Sequence, residues 1–185
     1  MDNCRGGARP RPERRPTRLR GYDYAQPGAY FVTICVAHRK CILGEVTEAA
    51  VLLTDLGETV RAVWQALPRR FSDLVLDEFI VMPNHIHAII ELCEGSAALP
   101  EIIGTFKSLS TKAVNRLTRS AGRPLWQRSY HDHVIRDDAG LSRLREYIAH
   151  NPVKWHLDEE NPNRVRQRAG QSPAPTISSF SLEEL

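Results

Sequence analysis

Apolar positions in this chain recur with a period of two in some stretches and of three to four in others, separated by glycine, proline, asparagine and aspartate. The run AYFVTICVA over Ala29–Ala37 is rich in β-branched and aromatic residues, follows Pro27-Gly28 and stops at the polar HRK. It predicts a buried strand. A shorter strand is expected over Cys41–Val46, with a hairpin return at Ala50–Leu53. Thr54-Asp55 then opens a helix to about Leu67, in which Leu56, Val60, Val63, Trp64 and Leu67 are spaced by three and four before Pro68 stops it.

Leu74–Met82 and His85–Leu92 read as two strands joined by a tight turn at Pro83-Asn84. A second helix is expected from Leu99 or Pro100 to about Ser120, with Ile102, Phe106, Leu109, Ala113 and Leu117 as its apolar stripe and Gly122 and Pro124 beyond its end. Tyr130–Arg136 predicts a strand, and Asp137-Asp138 starts a third helix over about Gly140–Asn151, which Pro152 ends. Strand, helix, strand, strand, helix, strand, helix fits an α+β fold, an antiparallel sheet with helices packed on it, better than a parallel βαβ repeat.

A chain of 185 residues with 42% hydrophobic content buries one core. A single domain is expected over 21–156, with a basic flexible arm at 1–20 and a polar, proline-rich tail or loosely docked extension at 157–185. The net charge of +3 does not announce a nucleic-acid partner, but its distribution says more. Arg5, Arg9, Arg11, Arg14, Arg15, Arg18 and Arg20 stand against only Asp2 and Glu13, which suits either a solvated tail or an arm that tracks phosphates. Cys4, Cys35, Cys41 and Cys93 form no C-x-x-C pair, which argues for reduced thiols and against a cysteine zinc site. No apolar run approaches the roughly 20 residues of a membrane helix, so a cytoplasmic protein is expected.

In VMPNHIHAIIEL, His85 and His87 are two apart on a strand, so both imidazoles leave the same face, with Cα atoms about 7 Å apart. Glu91 shares that face, while Ile86, Ala88, Ile90 and Leu92 point to the other side. Two neutral imidazoles on one face can converge on a divalent cation, although an isolated H-x-H is more often an ordinary half-buried pair. A histidine-triad hydrolase wants a third histidine where this chain has Ile89. On the third helix, Tyr147 and Asn151 sit one turn apart, about 40° from each other, flanking the stripe of Leu141, Leu144 and Ile148. His150 lies roughly 150° from the centre of that stripe, so Asn151 is the better placed of the two to reach the sheet.

Together MPNHIH and YIAHNP, with RLRGYDYAQPGAYFVTI upstream and W-Q-R-S-Y-x-D-x-x-I-R between them, resemble the REP-associated tyrosine transposases of the HUH single-tyrosine superfamily. The resemblance spans about Arg18 to Trp155. It implies a ferredoxin-like HUH nuclease fold, with His85 and His87 as metal ligands, Asn151 as the third ligand, Mg²⁺ or Mn²⁺ as cofactor and Tyr147 as the nucleophile. It also implies cleavage of single-stranded DNA at palindromic hairpins through a 5′-phosphotyrosine link. Lys107, Lys112 and Arg116 on the second helix, Trp126, Gln127 and Arg128 after it, and Arg18 and Arg20 in the arm are the candidate DNA contacts. Lysines opposite an apolar stripe are equally ordinary surface, and Trp126 equally a core residue. A homodimer, with histidines of one subunit facing the tyrosine of the other, stays open.

The competing readings are a non-catalytic hairpin-binding protein and a metal-dependent hydrolase using His85, His87 and Glu91 with water. A rolling-circle initiator or relaxase shares the chemistry, but the chain has no room for a helicase.

Overall fold

Alternation along the strands decides which side of the sheet each residue serves. The computed structural model describes residues 21–48, 50–158 and 160–163, so the expected arm, with Arg18 and Arg20, and most of the expected tail lie outside the described residues. Strands β1 (Gly28–Cys35), β4 (Leu74–Val81), β5 (His85–Leu92) and β6 (His131–Ile135) form one antiparallel sheet in the order β4-β5-β1-β6. A separate ribbon pairs β2 (Gly44–Thr47) with β3 (Ala50–Leu53). Helices α1 (Asp55–Gln65) and α2 (Leu99–Leu117) cover one face of the sheet, and α3 (Asp138–Lys154) covers the other.

The two faces are unequal. Tyr30, Val32 and Ile34 of β1 join Ile86, Ala88, Ile90 and Leu92 of β5 in a large cluster with Val60 and Trp64 of α1 and Ile102, Ile103 and Phe106 of α2. On the other face, α3 rests on a small patch of Phe31, Ile89, Leu144 and Ile148, bordered by Ile80, Ile135, Leu141 and Tyr147. The antiparallel α+β sandwich expected from the element order is the observed architecture.

Several boundaries differ from the pattern-based expectation for local reasons. The strand expected from Cys41 begins at Gly44, because Leu43 gives its N–H to Pro83 and its carbonyl to Thr54 instead of to a ladder. On α2 the buried ridge is Leu99, Ile102, Ile103, Phe106, Ser110 and Val114, whereas Leu109 and Leu117 are 36% and 52% exposed. Ser110 displaces Leu109 from the core because its hydroxyl is satisfied there, donating to Phe106 O at 2.7 Å and accepting from Trp126 Nε1 at 2.8 Å. Helix α3 does not stop at Pro152 but runs on to Lys154. The proline forgoes one helical N–H bond, yet its ring is buried and its carbonyl still accepts from Trp155 N.

Helix α1 is capped by Thr54, whose hydroxyl accepts from Gly57 N at 3.3 Å, with Asp55 and Glu58 in the first turn facing the positive helix end. Gly57 is there because the Leu43 carbonyl presses on the helix: a Cβ at this position would stand 2.0 Å from Leu43 O. Gly57→Ala is therefore expected to cost about 1–3 kcal/mol, as overpacking against backbone does. A urea midpoint equal to that of the parent protein would show that α1 is not held against Leu43 in this way.

Candidate functional site

The face of β5 that meets α3 carries His85 and His87, as the period of two requires, and both are buried, at 0% and 4% exposure. Their Nε2 atoms approach to 3.0 Å. The other nitrogen of each ring is occupied. His85 Nδ1 donates to Asn84 Oδ1 at 2.9 Å, and His87 Nδ1 meets Thr33 Oγ1 at 2.8 Å across the β1–β5 ladder, where Thr33 and His87 are register partners.

Asn84 is itself fully buried and uses both amide hydrogens, donating to Arg39 O at 3.2 Å and Glu160 O at 2.7 Å. Burial pushes the His87 imidazolium down to about 3. The same desolvation, reinforced by His87 and the Arg39 guanidinium, holds His85 well below the usual histidine range. Both rings are therefore neutral at physiological pH and able to offer lone pairs.

This donor set fits a divalent cation. Two nitrogen ligands of one ion roughly 2.1 Å away stand about 3.0–3.4 Å apart, so the imidazole separation of 3.0 Å would suit a shared cation. The Asp158 carboxylate brings an oxygen within 4.8 Å of both histidine nitrogens. Asn151 is 2% exposed, its Nδ2 faces Asp158 Oδ2 at 3.5 Å, and its Oδ1 is buried without a hydrogen-bond partner. A carboxylate within reach of two neutral imidazoles, with an orphaned amide oxygen on the residue beside that carboxylate, is donor chemistry that suits a cation.

Tyr147 stands over this group. Its ring lies 5.2 Å from the His87 ring and 6.1 Å, edge-on, from Phe31, and its hydroxyl is 3.4 Å from His87 Nε2. A single chain thus brings tyrosine and histidines together. His150 points away, exposed, with Nδ1 donating to Glu146 O at 2.8 Å, as the helical wheel predicts. Glu91 sits on the same sheet face as the histidines but at the far end of β5, opposite Ala29 and Val75, and faces Arg145 rather than the imidazoles.

Three residues of the site were not picked out by sequence pattern. Asp158 reaches the histidines only because the turn Trp155–Leu157 after α3 folds the chain back. Nothing in the local sequence signals that. Residues 158 and 160–163, on the tail side of the expected boundary, are held there by the Arg39–Glu160 ion pair at 2.9 Å and by Asn84 on the Glu160 carbonyl. Thr33 is found only once the β1–β5 register is known. Asn84 was legible as a turn residue, and its place beside His85 in PNH was the available clue.

The candidate DNA contacts fall into two groups. Lys112, Arg116 and Arg128 are exposed, and Lys112 lines a shallow surface groove with Arg70. Lys107 instead caps the loop after α2, donating to Gln127 O at 2.7 Å and Arg128 O at 2.9 Å. Trp126 is 5% exposed and donates its N–H to Ser110 Oγ, so its ring is packed in the core. Gln127 is half-buried, and its N–H extends the β1 edge through Cys35 O at 2.9 Å.

The model of the IS200-like transposase family matches residues 31–151, from within β1 to Asn151. A Haemophilus influenzae protein described only as uncharacterized is 34% identical over 165 residues, covering 79% of this chain and 92% of that protein. A second protein from the same organism, assigned as a REP-associated tyrosine transposase, is 26% identical over 140 residues, 71% of this chain and 74% of its own length. Among solved structures, a REP-associated tyrosine transposase bound to a REP hairpin superposes with a TM-score of 0.59 at 23% identity, covering 75% of this chain and 73% of that one, a likeness of fold. Among the described residues no helix is long and apolar enough to cross a membrane. The chain belongs to the IS200-like transposase family, and its likeness within that family is to the REP-associated tyrosine transposases.

Proposed function

We propose that this transposase cleaves and rejoins single-stranded DNA at palindromic hairpins, with Tyr147 as nucleophile and His85, His87 and the oxygens of Asn151 and Asp158 as the residues that would hold a divalent cation, Mn²⁺ or Mg²⁺. The observation that carries the reading is the Tyr147 hydroxyl at 3.4 Å from Nε2 of a buried, neutral histidine pair. A hairpin as substrate is supported by the solved relative, which was bound to a REP hairpin. The arrangement supports attack within one chain, because the tyrosine and the histidines that meet belong to the same chain.

In the cleavage step the Tyr147 oxygen forms a bond to a backbone phosphorus as the bond from that phosphorus to the 3′-oxygen breaks. The products are a 5′-phosphotyrosine and a DNA 3′-hydroxyl, which takes a proton while the phenol loses one. Bond count is conserved, so the 3′-hydroxyl of another end can run the step backwards without an external energy source. A bound divalent cation supplies Lewis-acid stabilisation of charge on the non-bridging phosphate oxygens. The protein's own part is orientation. Asn84 and Thr33 fix the two imidazole planes, Phe31 supports the tyrosine ring from its edge, and burial keeps bulk water from the imidazoles. A water-activating hydrolase built on Glu91 lacks its third group, because that carboxylate is at the other end of the strand.

Tyr147→Phe should lose covalent attachment to a hairpin oligonucleotide on a denaturing gel while keeping hairpin affinity. An adduct that persists in this variant would remove Tyr147 from the role. Asn84→Ala should weaken Mn²⁺ binding by about 10- to 100-fold in calorimetry, the usual cost of losing the group that orients a ligand, whereas His150→Ala should leave it unchanged. Equal affinities for the parent and Asn84→Ala would break the link between this network and a metal. Lys112→Ala and Arg116→Ala should each lower the salt slope of hairpin binding by about one, the signature of one lost phosphate contact. An unaltered slope would take α2 out of the DNA interface.

A further inference from the structure

Strand β4 carries a bulge where it passes under α3. Leu76 pairs with Ile90 and Phe79 with Ala88, so two residues, Asp77 and Glu78, stand opposite the single residue Ile89. Both Leu76 and Phe79 still face the large core, so the extra residue is accommodated on the α3 side. The Glu78 N–H, freed from the ladder, is taken by Asp77 Oδ1 at 2.8 Å. The same carboxylate receives Arg145 of α3 as a fork, with Nε at 3.2 and 3.0 Å from its two oxygens and Nη2 at 2.6 Å from Oδ2. Asp77 is only 15% exposed on its side chain, and Glu78 and Glu91 add negative charge around the guanidinium.

Arg145 and Tyr147 are two residues apart on the helix. At about 100° per residue, with Leu144 and Ile148 pointing at the sheet, Tyr147 lies roughly 80° to one side of that direction and Arg145 roughly 80° to the other. The apolar patch beneath α3 is small and lies along its axis, so it fixes the height of the helix better than its rotation. The phenol oxygen is roughly 8–9 Å from the helix axis, so a 10° roll, taken as an order-of-magnitude example, moves it by roughly 1.5 Å. Displacements of about 1 Å at a reacting atom cost on the order of 100-fold in rate.

We propose that the Asp77–Glu78 bulge and Arg145 form a positioning device that sets the roll of α3 and so holds the Tyr147 hydroxyl at the histidine pair. Asp77 and Arg145 are positioning residues and touch no reacting atom. An ion pair with a 44%-exposed arginine adds little to global stability, so its use lies in geometry, which a bidentate fork on a rigid bulge specifies and a single contact would not. The device rests on the reading of Tyr147 as nucleophile.

The test compares the parent protein with Arg145→Met, Asp77→Asn, the double variant and Arg145→Lys. The readouts are the single-turnover rate of adduct formation at saturating hairpin oligonucleotide with Mn²⁺, and hairpin affinity by fluorescence anisotropy. Each of Arg145→Met and Asp77→Asn should slow adduct formation by about 10- to 100-fold with affinity changed less than about 2-fold. The double variant should be no slower than the slower single one, as groups acting as one unit require, and Arg145→Lys should recover part of the rate.

An Arg145→Met protein with the parent rate overturns the inference. So do losses that multiply in the double variant, or affinity that falls in step with the rate. A second readout is independent of activity. With 3-fluorotyrosine incorporated at Tyr147, both single variants should move the fluorine resonance in the same direction, and an unmoved resonance overturns the device. If Tyr147→Phe still forms adduct, the nucleophile reading fails by itself and the fluorine comparison alone decides the positioning.

Discussion

Two imidazoles buried on a central strand impose conditions on everything near them. Removed from water, neither ring can carry charge cheaply, and each ring nitrogen left without a partner would cost about 1–3 kcal/mol. The structure meets this with one partner for each Nδ1 and a shared space between the Nε2 atoms. The Pro83-Asn84 turn, the β1–β5 register and the segment after α3 all serve that arrangement. Asn84 can hold His85 only because Arg39 O and Glu160 O take its two amide hydrogens, and Glu160 is held by Arg39 in turn. The turn bearing Arg39 keeps His38 and Arg39 at φ of 59° and 54°, a left-handed conformation that non-glycine residues adopt at a cost.

The division of labour between the two sheet faces follows from the same strand. The side of β5 with Ile86, Ala88, Ile90 and Leu92 is wholly apolar and meets two helices, so stability is concentrated there. The other side gives up two positions to histidine and keeps Phe31 and Ile89 as its buried apolar ground for α3, bordered by Ile80 and Ile135. A helix seated on so little apolar area must be oriented by directional contacts at its flanks. Here these are polar, with Asp77 on one side and the histidine pair under Tyr147 on the other.

Much of this was legible in the sequence because it is local. The H-x-H alternation, the i,i+4 relation of Tyr147 to Asn151 and the exclusion of His150 all follow from helix and strand periods, and the structure agrees with each placement. Reading hydrophobicity as burial failed at Ser110 and Leu109, where a satisfied hydroxyl outcompeted an apolar side chain for the inner position. Reading proline as a terminator failed at Pro152, because burial offset one missing hydrogen bond near the helix end. Asp158, Thr33 and the Asp77 bulge were invisible for a different reason: each acts through a contact between segments distant in sequence, which no period encodes.

The two partners that fix the histidines differ in kind, and the difference bears on chemistry. Asn84 spends both amide hydrogens elsewhere and can offer His85 only its carbonyl oxygen, so His85 Nδ1 must donate and His85 Nε2 must present a lone pair in every state. His87 faces a hydroxyl, which can donate or accept by rotating. When the two Nε2 atoms share a proton at 3.0 Å, His87 must supply it and Thr33 must donate to Nδ1. Were both Nε2 lone pairs to be taken by a cation, His87 would carry its hydrogen on Nδ1 and donate it to Thr33 Oγ1. One rigid partner and one rotatable partner therefore accommodate either neutral tautomer of His87 with both rings held in place. A second asparagine-like clamp at Thr33 would forbid the first state, and an apolar residue there would leave His87 Nδ1 unsatisfied in both.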